Sequence, residues 1–138
     1  MDNKSLVVAV DDEPMVLEYL NIILSPHYDV LVAGSAKALF NLLKIATPDL
    51  LLMDIYMPEV DGFEAVRKLR QDERYENIPV IFLTSDVSDV SKEEGLKISN
   101  VVDYIYKPVD KEQLIRRINM RLELLQLEKR VKSDLDAG

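Results

Sequence analysis

A run of four apolar residues, Leu50 to Met53, leads directly into an aspartate, Asp54. A short, continuous apolar run between polar residues is typical of a strand that is covered on both faces, as strands of parallel sheets are. Open α/β sheets bind their ligands at the carboxyl ends of such strands. The sequence therefore makes Asp54 the first candidate for a reactive group.

The same alternation of an apolar run and an amphipathic segment occurs five times along the chain. Besides residues 50–54, strands are predicted at residues 5–10, 28–33, 78–83 and 101–106. Helices are predicted to begin at Pro14 and after three N-capping residues, Ser35, Asp61 and Asp110. A fourth helix is predicted over residues 87–98. Five successive βα units predict a parallel sheet with helices on both faces and right-handed crossovers.

Composition narrows the functional classes. The formal net charge of the 138 residues is −8; residues 110–138 carry seven basic and six acidic residues, which leaves −9 for residues 1–109. An acidic body of this kind is not expected to bind nucleic acid through counterion release. The chain has no cysteine, which excludes disulfides and cysteine zinc sites and fits a reducing cytoplasm. Its apolar runs are shorter than the ~20 residues of a membrane helix, so no membrane association is expected.

Polar side chains stand at four of the predicted strand ends: Asp11 and Asp12, Asp54, Thr84, and Lys107. In a parallel sheet these ends share one edge, so the side chains should converge. Two carboxylates ~4 Å apart repel each other by about 4 kcal/mol at an effective dielectric constant of 20. A hard divalent cation would relieve that repulsion, and carboxylate and carbonyl oxygens suit Mg²⁺ or the similar Mn²⁺.

The remaining two groups favour phosphate chemistry. Lys107 offers a positive charge and Thr84 a hydroxyl donor, which together suit a phosphoryl group. A metal-bound Asp54 could then act as the nucleophile and form an acyl phosphate. No further base is evident that would hydrolyse it rapidly. We therefore expect a domain that becomes phosphorylated and remains so for a time, a signalling module rather than an enzyme.

Together these motifs resemble the receiver domain of two-component response regulators, of the chemotaxis-receiver kind. The resemblance covers about residues 5 to 125 and is carried by five motifs in order: Asp11-Asp12, Asp54-Ile55-Tyr56-Met57-Pro58 with Asp61-Gly62, Thr84, Tyr104, and Lys107-Pro108. It implies a flavodoxin-like, doubly wound sheet with the strand order 2-1-3-4-5. It also implies a cis peptide bond before Pro108.

The resemblance implies a role for each residue of the phosphoryl site. Asp54 would accept the phosphoryl group from a histidine kinase or a phosphotransfer protein. Mg²⁺ would be held by Asp12, Asp54 and the backbone carbonyl of Tyr56, with Asp11 acting through water. Lys107 would pair with the phosphoryl group.

The resemblance also implies a switch. The hydroxyl of Thr84 would turn towards a phosphoryl oxygen, and Tyr104 would turn inward with it. The surface of the fourth helix, fifth strand and fifth helix would then engage an effector or output domain. Tyr56 and Asp86 occupy variable positions beside the site that would tune the lifetime of the phosphoryl group.

The last predicted helix is longer than a sheet can cover. Residues 1–125 are expected to form the receiver domain, and residues 126–138 a helical extension or a linker, with a tail from residue 133. Met120, Leu124, Leu127 and Val131 form a second apolar stripe with heptad-like spacing. This stripe indicates either scattered leucines on a frayed helix or a short coiled coil that pairs two copies or leads to an output domain.

Three other interpretations remain open at this point. A pseudo-receiver would keep the fold without phosphorylation, although the complete set of motifs argues against it. An aspartate-nucleophile phosphatase would need a second aspartate two residues after Asp54, where this chain has Tyr56. A flavodoxin-like electron carrier would need a phosphate loop after the first strand, where Asp11-Asp12-Glu13 would repel a phosphate.

Overall fold

The computed structural model describes residues 4–137, so residues 1–3 and 138 of the predicted domain and tail lie outside the described part. Its sheet has five parallel strands in the order β2-β1-β3-β4-β5, which confirms the predicted fold and strand order. The strands are β1 Leu6–Val10, β2 Asp29–Ala33, β3 Leu50–Asp54, β4 Val80–Thr84 and β5 Val101–Tyr106.

Helices alternate with these strands, as the apolar patterns predict. They are α1 Pro14–Leu24, α2 Ala36–Leu42, α3 Gly62–Leu69, α4 Glu93–Leu96 and α5 Lys111–Ala137, with 3₁₀ helices at Glu73–Tyr75 and Val87–Ser91. The chain divides into two compact units between Pro108 and Val109. The first unit holds the sheet and helices α1 to α4, and the second holds α5. No helix of the described residues combines the length and apolarity needed to cross a membrane.

The predicted helix caps are confirmed by their hydrogen bonds. The Ser35 hydroxyl accepts from the Ala38 N–H at 3.0 Å, and the Asp61 carboxylate accepts from the Glu64 N–H at 2.8 Å. In the second unit the Asp110 carboxylate accepts from the N–H of Gln113 at 3.1 Å. Each bond satisfies one of the N–H groups that a helix start leaves without a partner.

The prediction of one helix over residues 87–98 is wrong. The segment forms the 3₁₀ helix Val87–Ser91 and then the four-residue α4, separated by Lys92 in an extended conformation with ψ of 134°. The physical reason lies in Asp89, whose side chain is fully buried and hydrogen-bonded to the end of β4. A regular helix from residue 87 would place that side chain elsewhere and lose this bond.

The second unit is a single 27-residue helix, about 40 Å long at 1.5 Å per residue. The prediction of a tail from residue 133 is wrong for the described residues, because α5 continues to Ala137. Leu114, Ile118 and Leu122 are its buried residues. The predicted second stripe is exposed.

Candidate functional site

The carboxyl ends of the strands place the predicted site residues at one edge of the sheet. In the strand register Val10 lies beside Met53 and Asp54 lies beside Leu83. All five residues of β3 are buried, so Asp54 emerges from a strand that is covered on both faces. The prediction of a buried strand that ends at Asp54 is confirmed.

Three carboxylates meet at this edge. One oxygen from each of Asp11, Asp12 and Asp54 lies within 4.8 Å of the other two. Asp11 is fully buried and Asp54 is 4% exposed, whereas Asp12 is exposed. Unit charges at such distances repel by about 3–4 kcal/mol per pair at an effective dielectric constant of 20. The three carboxylates supply oxygen ligands and negative charge, and the exposed Asp12 leaves the group accessible from solvent. These features fit a hard divalent cation.

Lys107 brings a positive side chain into contact with the two buried carboxylates. Its Nζ lies 2.8 Å from Oδ2 of Asp11 and 3.2 Å from Oδ1 of Asp54. The Lys107 N–H also donates to the Thr84 carbonyl at 2.7 Å, which fixes the start of its side chain beside the end of β4. The peptide bond between Lys107 and Pro108 is cis, as the family resemblance implies.

The environment of Asp54 disfavours its charge. Burial and then the charge of Asp11 raise the pKa of Asp54 from 3.8 to about 7, although Lys107 acts in the opposite direction. Burial would lower the pKa of Lys107, but its bond to Asp11 and the charges of Asp54 and Asp11 raise it above the ordinary value. Lys107 therefore stays charged while Asp54 is poised to titrate near neutrality.

Gly62 lets the loop after β3 return to the site. Its N–H donates to the Ile55 carbonyl at 2.7 Å. A Cβ at this position would overlap the Asp54 carbonyl oxygen and lie 2.9 Å from the Ile55 Cα. Both neighbours are backbone atoms, so they can only yield if the end of β3 shifts.

We expect Gly62→Ala to lower the free energy of unfolding by about 2 kcal/mol, in the range of overpacked sites. Urea denaturation measures the effect. Gly34→Ala is the matched control, because a Cβ at Gly34 meets no atom within 4 Å. Equal effects of the two substitutions would contradict the close approach at Asp54.

The hydroxyl of Thr84, at the end of β4, is bonded to a residue that the sequence analysis did not single out. Thr84 is 1% exposed, and its Oγ1 donates to Oδ2 of Asp89. The same oxygen accepts from the Asp86 N–H at 3.1 Å. In this conformation Thr84 therefore points its proton at Asp89.

Asp89 joins three other side chains, those of Thr84, Tyr56 and Lys92, into one network. Its Oδ1 accepts from the Tyr56 hydroxyl at 2.5 Å and lies 2.8 Å from the Nζ of Lys92. Burial raises the pKa of Asp89, but the bonds from Lys92, Thr84 and Tyr56 outweigh it and hold that pKa below the ordinary value. Asp89 is thus a fully buried carboxylate that remains ionised.

A family model describes the same chain. Residues 7–119 match the response regulator receiver domain. This chain belongs to that family. It therefore contains a phosphorylation-activated receiver domain of two-component signalling, and its architecture and acidic edge agree with that assignment.

Relatives of known name and structure support the assignment. The receiver is 38% identical to protein PilH of Pseudomonas aeruginosa over 114 residues, which cover 82% of this chain and 93% of PilH. The structure of the chemotaxis protein CheY4 of Vibrio cholerae matches with a TM-score of 0.79 and 26% identity, covering 85% of this chain and 98% of CheY4.

Other relatives are much longer than this receiver. The chain spans 9% of the hybrid signal transduction histidine kinase D of Dictyostelium discoideum, at 30% identity. It spans 26% of a probable cyclic di-GMP phosphodiesterase of Vibrio cholerae, at 32% identity. Receiver domains of this family thus occur joined to several kinds of partner domain.

The three remaining predicted residues of the receiver occupy distinct places. Tyr104 is half-buried, with its ring 5.5 Å from that of Phe82, and a Cβ at Gly95 would overlap its hydroxyl. Tyr56 is 49% exposed and bonded to Asp89. Asp86 is exposed and caps the 3₁₀ helix by accepting from the Ser88 N–H at 2.9 Å.

Proposed function

We propose that Asp54 is the phosphoacceptor of this receiver domain and that a histidine kinase or a phosphotransfer protein is its donor. The observation that carries the proposal is the contact between a buried Asp54 and the charged Lys107 within a group of three carboxylates. An ionised carboxylate with an adjacent ammonium group combines a nucleophile with a partner for the incoming oxygens.

In the proposed step a carboxylate oxygen of Asp54 forms a bond to phosphorus. The bond from phosphorus to the donor nitrogen breaks, and the leaving imidazole takes up a proton. Lys107 then exchanges its contact with Asp54 for one with the phosphoryl oxygens, a movement that its long side chain allows. Its 2.8 Å contact with Asp11 keeps it beside the site.

The acidic group fits Mg²⁺ or Mn²⁺, which would be held by Asp12, Asp54 and the carbonyl of Tyr56, with Asp11 acting through water. When bound, the cation supplies positive charge that offsets the charge on the transferring oxygens. Asp12 is the exposed member of the group and provides the entry side. Asp11 is held in place because its Oδ1 accepts from the Glu13 N–H at 2.9 Å.

The bond from Thr84 to Asp89 is the resting arrangement in this proposal. On phosphorylation the Thr84 hydroxyl exchanges its bond with Asp89 for one with a phosphoryl oxygen. Tyr104 then turns inward with Thr84. Tyr56 and Asp86 tune the lifetime of the phosphoryl group, Tyr56 by restricting water. The rearranged segment from Thr84 through α4 to β5 signals to an effector or an output domain.

We assign residues 1–125 to the receiver proper and residues 126–138 to a helical extension or linker, and we place the domain in the cytoplasm, where its donors act. The phosphatase interpretation is weaker, since Tyr56 stands where an acid would be needed and its hydroxyl donates to Asp89. The pseudo-receiver interpretation is decided by experiment.

The test is the intact mass of the protein after incubation with acetyl phosphate and Mg²⁺, with and without a chelator. We expect wild type to gain one phosphoryl group only when Mg²⁺ is present, and Asp54→Asn to gain none. Asp29→Asn is the matched control, because Asp29 is an exposed aspartate at the opposite end of a strand. It should be phosphorylated like wild type.

Two outcomes would count against the proposal. Phosphorylation of Asp54→Asn to the wild-type extent would place the acceptor elsewhere. A folded wild type that neither gains mass nor is stabilised by Mg²⁺ would favour a pseudo-receiver.

A further inference from the structure

Helix α5 carries an apolar stripe on a side that the buried residues do not use. The stripe, here called the α5 seam, consists of Met120, Leu124, Leu127 and Val131. These residues are 48%, 40%, 53% and 51% exposed, respectively. Their 4-3-4 spacing matches the a and d positions of a coiled coil. At 3.6 residues per turn the seam lies about 150° around the helix from Leu114, Ile118 and Leu122.

Charged residues continue and flank the α5 seam in a regular order. The next a and d positions at its two ends hold opposite charges, Arg117 and Asp134. The e positions beside the seam are Arg121 and Glu128, and the g positions are Glu123 and Arg130. Each type of position therefore changes sign between the first and the second half of the seam.

We propose that the α5 seam binds the α5 seam of a second copy of this chain in an antiparallel orientation. In this register Leu124 packs on the partner's Leu127, and Met120 packs on the partner's Val131. Arg117 faces the partner's Asp134 at each end. The contact spans residues 117–134, about 27 Å of helix, and the inference does not depend on phosphoryl transfer.

The flanking charges support the antiparallel orientation. Antiparallel pairs bring e next to e and g next to g, so Arg121 faces the partner's Glu128 and Glu123 faces the partner's Arg130. The two-fold axis makes each of these pairs occur twice. Among residues 4–137, no ion pair involves Glu123, Glu128 or Arg130, so their charges are available.

A parallel pair would bring like charges together. Position g then lies beside e of the partner, so Glu123 would face the partner's Glu128 and Arg116 would face the partner's Arg121. Arg117 would also stack on the partner's Arg117 within the seam. Opposite charges in one orientation and like charges in the other therefore favour the antiparallel pair.

The charges also select one antiparallel register. A shift of one heptad in one direction places Arg121 against the partner's Arg121. A shift in the other direction places Glu128 against the partner's Glu128. Only the register centred between Leu125 and Gln126 pairs the flanking charges with opposite ones.

The first test is sedimentation equilibrium of the full chain over a wide concentration range. We expect a reversible monomer–dimer equilibrium that Leu124→Glu weakens at least about tenfold in Kd, since it buries a charge in the seam. Gln126→Glu is the matched control, because it adds the same charge at an exposed position outside the seam. A chain that is monomeric at every concentration would overturn the proposal.

Charge reversal separates the two orientations. Glu128→Arg alone should weaken the antiparallel dimer, because it sets two arginines opposite each other, and the double variant Arg121→Glu/Glu128→Arg should restore it. In a parallel dimer the single variant would instead strengthen association by placing an arginine opposite Glu123. Stronger association of Glu128→Arg would therefore overturn the proposal.

Disulfide formation gives the orientation directly, because the chain contains no cysteine of its own. Met120→Cys mixed with Val131→Cys should form a mixed disulfide, whereas Met120→Cys alone should not. In the antiparallel pair the two copies of position 120 are about 16 Å apart, too far for a disulfide. A disulfide formed efficiently by Met120→Cys alone would show a parallel pair.

Discussion

In the metal-free protein, Asp54→Asn is expected to raise the free energy of unfolding at pH 8 by up to about 4 kcal/mol. The pKa of Asp54 is raised by burial and by Asp11 from 3.8 to about 7. Each pKa unit corresponds to about 1.4 kcal/mol between the two protonation states. Because Asp54 is 4% exposed, solvent screens this cost little.

The sign of the pH dependence follows from proton binding. Between pH 3.8 and about 7 the folded protein holds a proton on Asp54 that the unfolded chain releases. The contribution of Asp54 to stability is therefore favourable at low pH and is lost as the pH rises towards 7. Asparagine does not titrate, so its advantage should be less than half as large at pH 5 as at pH 8.

Urea denaturation in the presence of a chelator measures the difference at both pH values. Asp12→Asn is the control from the same group of carboxylates, and its exposed side chain should make the change small. Mg²⁺ should narrow the difference at pH 8, because it stabilises wild type by binding the folded state, by about 2.7 kcal/mol at a concentration of 100 times Kd, and Asp54→Asn lacks a ligand. An Asp54→Asn variant that is less stable than wild type without metal would refute the buried repulsion.

The strand ends of the receiver could be predicted from the sequence because their signals are local. Continuous apolar runs that stop at a polar residue define both the strands and the edge where Asp11, Asp54 and Thr84 meet. Parallel topology then brings together residues far apart in sequence without any further information. The same holds for the helix caps, whose side chains bond to backbone groups three residues away.

Asp89 could not be predicted because its partners come from separate parts of the chain. An aspartate near a helix start normally indicates a solvated cap, and Asp86 in the same segment has that role. The burial of Asp89 depends on Tyr56, which is 33 residues away. The local sequence gives no signal of this burial, because on a helix over residues 87–98 Asp89 would lie on the side opposite Val87 and Ile98.

The end of α5 gives a further example. A serine and two aspartates after residue 132 favour a helix end, yet the helix continues to Ala137. Local propensity is a weak predictor there, since long helices override a few unfavourable residues. Because the helix continues, Asp134 lies on it at the end of the α5 seam. The predicted tail from residue 133 would have left Asp134 outside the helix.

Asp89→Ala is expected to accelerate phosphorylation of Asp54 by acetyl phosphate about tenfold or more. A hydrogen bond to a charged group contributes about 1.5–3 kcal/mol, which corresponds to a ten- to hundredfold bias towards the bonded conformation. Removing the carboxylate leaves the Thr84 hydroxyl with the neutral Asp86 carbonyl as its acceptor, a weaker bond that a phosphoryl oxygen can displace. The intact mass as a function of time after addition of acetyl phosphate measures the rate.

The variant should still fold, because the three groups that lose their hydrogen bond to Asp89 have other hydrogen-bond partners. The side chains of Lys92 and Tyr56 are 37% and 49% exposed and can bind water. The Thr84 hydroxyl lies 3.2 Å from the Asp86 carbonyl oxygen, which can accept its proton. Asp72→Ala is the matched control, since it removes the side-chain cap of the other 3₁₀ helix, Glu73–Tyr75, and leaves Asp89 in place.

A double-mutant cycle shows through which residue Asp89 acts. If Asp89 restrains the Thr84 hydroxyl, the acceleration by Asp89→Ala should disappear in a Thr84→Ala background, because there is then no hydroxyl to release. It should persist in a Tyr56→Phe background, which keeps the ring and removes only the second donor. Disappearance in Tyr56→Phe and persistence in Thr84→Ala would instead show that Asp89 acts by positioning Tyr56 over the site.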